Sequence, residues 1–126
     1  MKIYGIGTDI VNVDRIKKTL KNKNALLRLF SKEEIIKCSK SINYNNCYAK
    51  RFAAKEAFAK ALGTGISNGI GFNEIIVMNK KSGKPFIKLK GETMRIIKKK
   101  LKKKAKISLS LSDEKNYAVA FVTISL

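Results

Sequence analysis

The sequence predicts an α+β fold: one compact domain over residues 1–126, with a mostly antiparallel sheet packed around a long buried helix. Three observations carry this. Strand and helix signals intermingle without a repeating βα unit. Residues 47–62 form an Ala/Phe/Leu-rich run that holds neither Gly nor Pro. The later strand signals come in pairs around polar turn clusters. A composition of 44% hydrophobic and 29% charged residues is that of a globular chain, and 126 residues suffice to bury a core.

Residues 2–11 read as a strand, apolar and β-branched, with Asp9 near its end. A helix follows from Asp14 to Lys21, where Ile16 and Leu20 lie one turn apart. Leu26 to Phe30 is expected as a short apolar turn. Ser31 and Glu34 form a capping box that opens a helix to Ser39, and 41–46 is a loop. The helix at 47–62 ends on the glycines of Gly63-Thr64-Gly65. Asn73–Met78 and Pro85–Leu89 flank the hairpin signal Asn79-Lys80-Lys81-Ser82-Gly83-Lys84, and the single proline begins a strand, where it is tolerated. A lysine-rich helix is expected over 92–104, then strands at 107–111 and 117–124.

The chain has no histidine, which excludes Ser-His and Cys-His pairs, histidine general bases and histidine metal ligands. Cys38 and Cys47 carry no CxxC pairing, so both are expected as ordinary thiols in a reducing cytoplasm. The N-terminal apolar stretch is cut by glycines and Asp9 and is too short for a signal peptide or membrane span; the expected location is cytoplasmic.

With 28 Lys+Arg against 9 Asp+Glu the formal charge is +19, which favours an acidic partner. Of the 28 basic residues 24 are lysine and many asparagines and isoleucines accompany them, a pattern that AT-rich codons produce unaided. In the lysine run 98–106, Met94, Ile97 and Leu101 recur at helical spacing, so the lysines read as the solvated face of a helix. No aromatic residues interleave with them to stack on bases. A basic nucleic-acid-binding module is therefore the alternative reading and a trimeric interaction protein a third; no nucleic acid and no membrane are expected as partners.

On a helical wheel the run from Arg51 to Leu62 is apolar almost all round, which encloses Glu56. An enclosed carboxylate needs a cation or several donors, and Lys60 one turn on is the local choice. An ordinary surface pair of this kind contributes only about 0.2–0.5 kcal/mol. Asp9 is a second carboxylate in an apolar setting. Two carboxylates from distant segments, without histidine, are a donor set suited to Mg²⁺ holding phosphates. Arg51, Lys55 and Lys60 would complement a phosphorylated ligand.

Four segments, Tyr4-Gly5-Ile6-Gly7-Thr8-Asp9-Ile10-Val11, Arg51-Phe52-Ala53-Ala54-Lys55-Glu56-Ala57-Phe58-Ala59-Lys60 on through Gly63-Thr64-Gly65, Ser82-Gly83-Lys84-Pro85-Phe86 and Tyr117-Ala118-Val119-Ala120, together resemble the bacterial holo-acyl-carrier-protein synthases, the small stand-alone 4'-phosphopantetheinyl transferases. The resemblance spans nearly the whole chain. It implies that a serine of apo acyl carrier protein attacks the β-phosphate of coenzyme A, takes the phosphopantetheine arm and releases 3',5'-ADP. It also implies that Asp9 and Glu56 bind Mg²⁺ and that Lys60 contacts the phosphates. The proton acceptor is either Lys60 or Glu56 acting through a water. A homotrimer with coenzyme A between neighbours is implied, with Arg51, Gly63, Thr64, Gly65, Gly83, Lys84 and Pro85 lining the cofactor and Arg15 and Arg28 docking the carrier. One departure stands out. Many family members carry a histidine near the 3'-phosphate where this chain has Asp113, so Lys115 or a neighbouring subunit's lysine would substitute, or that end of the ligand is held differently.

Overall fold

The computed structural model of the protein describes residues 1–63, 69–102 and 104–126. Its elements run β1 (Ile3–Asn12), α1 (Val13–Thr19), α2 (Lys23–Leu29), α3 (Lys32–Ser39), α4 (Tyr44–Leu62), a 3-10 turn (Phe72–Glu74), β2 (Ile75–Asn79), β3 (Pro85–Leu89), α5 (Gly91–Leu101), β4 (Lys106–Asp113) and β5 (Tyr117–Ser125). The strands form two antiparallel sheets, one ordered β1-β5-β4 and a separate β2-β3 hairpin. The α+β expectation holds, with two sheets in place of one.

Helix α4 is the centre. Ala49, Ala53, Ala54, Ala57, Ala59 and Ala61 are all buried along it, together with Phe58 and Leu62. Burying Phe58 alone contributes about 2–3 kcal/mol. Alanine side chains keep the helix thin, and β1 uses that. Its inward positions are Gly5, Gly7, Asp9 and Val11, and a Cβ added at Gly5 or Gly7 would overlap the carbonyl oxygen of Ala61 or Ala57. β5 continues the surface with Ala118 opposite Val11 and Ala120 opposite Asp9. α4 ends where Gly63 takes the left-handed conformation (φ 82°), and its N–H donates to the Ala59 and Lys60 carbonyls.

The other face of the β1-β5-β4 sheet is apolar and uncovered. Ile6, Ile10, Tyr117, Val119 and Phe121 are exposed there, with Ile10 at 65% and Phe121 at 45%. Ile10 lies opposite Val119 in register and Phe121 opposite Thr8.

Several boundaries differ from the sequence expectation. The apolar segment expected as a turn at 26–30 belongs to helix α2, because the Asn22 side chain accepts from the Ala25 N–H and caps it. α4 begins at Tyr44, so the last part of the expected loop is helical. α5 stops at Leu101, short of the expected residue 104, and Lys102 takes a left-handed cap conformation (φ 58°). Lys103 lies outside the described residues. Ile97 and Leu101 are buried and Lys98, Lys99 and Lys100 exposed, so the lysines of α5 are its solvated face. The start of α5 is held from a distance: Glu74 Oε1 accepts from the Thr93 N–H (3.1 Å) and hydroxyl (2.7 Å).

The cysteines correct the expectation of free thiols. Cys38 at the end of α3 and Cys47 in the first turns of α4 form a disulfide, with Cα atoms 5.5 Å apart. They lie nine positions apart, and the helix–loop–helix turn brings them together, a pairing that a search for closely spaced cysteines does not register.

Candidate active-site cleft and the basic cavity

β1 delivers Asp9 to the face that meets α4, and Glu56 stands on α4 beside it. Both line a cleft of about 750 Å³ whose wall also carries Arg15 of α1, Arg28 of α2, Phe52 of α4 and Phe72 of the 3-10 turn. Phe52 and Phe72 meet edge to face with centroids 5.7 Å apart. Lys60 is half exposed and donates to Asp9 Oδ1 (3.1 Å) and to the Thr8 carbonyl (3.0 Å). The wheel reading assigned Lys60 to Glu56, but its hydrogen bonds run to β1, because the glycines bring that strand within reach.

Glu56 is thereby left half-buried beside a like charge. Its pKa is raised above the ordinary glutamate value of 4.5, first by desolvation and then by Asp9, with Lys60 pulling the other way. Two carboxylates with one lysine between them form an under-compensated anionic pair that suits a divalent cation. Among the described residues no cluster of three or more acidic or cysteine ligands exists, so such a cation would keep coordination positions for water and ligand oxygens.

A second cavity of about 740 Å³ opens elsewhere on the protomer, lined by Lys37, Lys50, Arg51, Lys80, Lys81 and Gly83, with Asp113 the one acid. Arg51 is nearly fully buried. It donates to the Cys47 carbonyl (3.3 Å) and sulfur (3.2 Å) and to Asn79 Oδ1 (3.0 Å), while its Nε has no hydrogen-bond partner among the described residues. Burial pulls its pKa below the ordinary arginine value. Asp113 accepts from Asn46 (3.0 Å) and lies 3.4 Å from the Lys50 ammonium, a lysine the sequence reading passed over in favour of Lys115.

The predicted site residues thus fall into two groups. Asp9, Glu56, Arg15 and Arg28 line the first cleft, with Lys60 bonded to Asp9 beside it; Arg51 and Gly83 line the second. Gly63, Lys84 and Pro85 line neither, although Lys84 and Pro85 follow Gly83 in the hairpin. Thr64 and Gly65 lie outside the described residues. Lys55 was expected to complement phosphate; it is instead wholly buried and paired with Glu34 at 2.6 Å. Burial lowers its pKa to about 8 in spite of that partner. Sequence reasoning missed Phe52 and Phe72, which sit far apart in the chain and meet only through packing.

The whole arrangement has counterparts. The sequence pattern of the 4'-phosphopantetheinyl transferase superfamily matches residues 5–122, and the chain belongs to that family. The holo-[acyl-carrier-protein] synthase of Pelagibacter ubique is 48% identical over 125 residues, 98% of either chain. The crystal structure of the holo-[acyl-carrier-protein] synthase from Neisseria meningitidis superposes with a TM-score of 0.86 at 39% identity, covering 98% of this chain and 99% of that one. A second, from Bacillus anthracis in complex with coenzyme A (3',5'-ADP), gives 0.79 at 34%, covering 98% and 97%.

Glu56 has a pH signature. Between the ordinary carboxylate range and its raised folded value, the unfolded chain is ionised while the folded one still holds its proton, so stability falls as pH rises through that window. Glu56→Gln is therefore expected to melt higher than wild type at about pH 7.5 without divalent cation, the gap closing by about pH 4. Thermal melts at the two pH values check it; equal melting temperatures at neutral pH would contradict it.

Proposed function

We propose that the Asp9–Glu56 cleft is where 4'-phosphopantetheine passes from coenzyme A to a serine of apo acyl carrier protein, with 3',5'-ADP as the leaving product. The observation that carries the reading is the under-compensated carboxylate pair, opened to a cleft with basic side chains on its wall. The pair would hold Mg²⁺, which when bound neutralises charge on the pyrophosphate oxygens. Lys60, fixed by Asp9 and the Thr8 carbonyl, presents its exposed ammonium to the same phosphates. The serine oxygen bonds to the β-phosphorus as the bond to the 3',5'-ADP oxygen breaks. Glu56, through a water, is the acceptor for the serine proton. Arg15 and Arg28, on the cleft wall, face the acidic carrier.

The assembly we infer is a homotrimer. Two features support it: an uncovered apolar sheet face around Ile10 and Phe121, and a basic cavity that shares no lining residue with the carboxylate cleft. A neighbour's Arg51 cavity would receive the nucleotide end of coenzyme A while the cleft of the first protomer holds the pyrophosphate. No helix among the described residues is long and apolar enough to cross a membrane.

The test is the mass of apo carrier incubated with the protein, coenzyme A and Mg²⁺. A gain of one phosphopantetheine is expected, and Asp9→Ala and Glu56→Ala are expected to slow it by more than about a hundredfold while remaining folded. A wild-type rate in either variant, or in excess EDTA, would refute the metal role. For assembly, Ile10→Glu is expected to yield a monomer by light scattering with little transfer; a fully active monomer would refute the trimer.

A further inference from the structure

We propose that Lys55 is a positioning residue: its buried ammonium anchors the Phe72 carbonyl and so sets the Phe52–Phe72 wall of the cleft beside Glu56. The inference rests on the reading that the carrier docks across that cleft.

Lys55 and Glu34 are both 0% exposed. The ammonium donates to Glu34 Oε1 (2.6 Å) and to the Phe72 carbonyl (2.8 Å), and lies 5.2 Å from the centroid of the Phe30 ring. The carboxylate is occupied in turn, accepting the Ser31 N–H at Oε1 and the Val77 N–H at Oε2. One ion pair therefore ties the cap of α3, helix α4, strand β2 and the 3-10 turn. Three of those four are held by their own ladders or caps. The 3-10 turn is three residues long, and of the Lys55 contacts only the one to Phe72 leads to the cleft.

Stability alone does not call for this pair, since apolar residues of similar volume usually fill such a site as well or better. A hydrogen bond does what an apolar contact does not: it fixes a carbonyl in direction as well as distance. The Phe72 carbonyl also accepts from the Ile75 N–H, and its ring meets Phe52 edge to face; the turn's other ties, from Gly71 and Glu74 to Thr93, from Asn73 to the Leu27 carbonyl and from the Lys90 N–H to the Glu74 carbonyl, act on the residues beside Phe72 and not on its carbonyl. Phe52 stands one turn before Glu56 on the same helix, so the wall and the carboxylate share a face of the cleft. Releasing the Phe72 carbonyl moves the wall and leaves Asp9, Glu56 and Lys60 where they are.

The experiment uses the full-length protein as Lys55→Met and as Lys55→Met/Glu34→Gln, the second removing the carboxylate that the first leaves unpaired in the core. Each is compared with wild type for KM and kcat toward apo carrier and coenzyme A. The Phe72 resonance is followed by fluorine NMR in 4-fluorophenylalanine-labelled protein and assigned with Phe72→Leu. Expected for the double variant are a native circular dichroism spectrum, a carrier KM raised roughly five- to tenfold, a coenzyme A KM within about twofold of wild type and a displaced Phe72 resonance. A folded double variant with an unmoved resonance and an unchanged carrier KM would overturn the proposal, as would a fall in kcat with both KM values intact. Failure of the double variant to fold overturns it too, because the pair would then be a stability element. Arg15→Glu separates the two readings: an unchanged carrier KM there refutes docking in the cleft, while the fluorine resonance still reports whether Lys55 holds the wall.

Discussion

Strand β1 lies so close to helix α4 that no side chain fits between them at Gly5 and Gly7, and the rest of the site hangs on that approach. Glycine alternates along the inward face of the strand, alanine fills the facing side of the helix, and the carbonyls of Ala57 and Ala61 touch the strand backbone. Asp9 is the next inward position after Gly7, so the same contact carries its carboxylate to α4. Lys60 then reaches back to the Thr8 carbonyl and Asp9, and Glu56 is left with a like charge at its side. A valine or leucine in place of either glycine would enlarge the core and pull the carboxylates apart.

Around this contact the buried charges divide the labour. Lys55 and Glu34 form a closed unit in which every strong donor and acceptor has a partner. Arg51 is not closed: its Nε has no partner among the described residues, and the residue lines a cavity that also carries lysines. This buried cation, beside the Cys38–Cys47 bridge and Asn79, is the residue to which our proposal gives the nucleotide end of coenzyme A.

Much of this was legible in the sequence. The capping box of Ser31 and Glu34, the glycine stop at Gly63, the hairpin around Ser82-Gly83 and the burial of α4 follow from local chemistry, and all are present. Asp9 and Glu56 stood out because carboxylates are rare here. What stayed hidden was tertiary. Arg51 and Lys55 have the same charge and sit four residues apart, yet one faces a cavity and the other is sealed beneath Phe30, a distinction set by whether α3 supplies a carboxylate. The disulfide, the Phe52–Phe72 contact and the pairing of Asp113 with Lys50 each join segments whose meeting depends on the fold as a whole.

The central claim is that the glycine contact creates the cation site, and Mn²⁺ binding measured by electron paramagnetic resonance in the presence of coenzyme A tests it directly. Gly7→Ala inserts one methyl group between β1 and α4 and adds no charge of its own. The account predicts a variant that melts lower, by the equivalent of about 1–3 kcal/mol, and binds Mn²⁺ at least about tenfold more weakly than wild type. A folded Gly7→Ala protein that binds Mn²⁺ as tightly as wild type would contradict it.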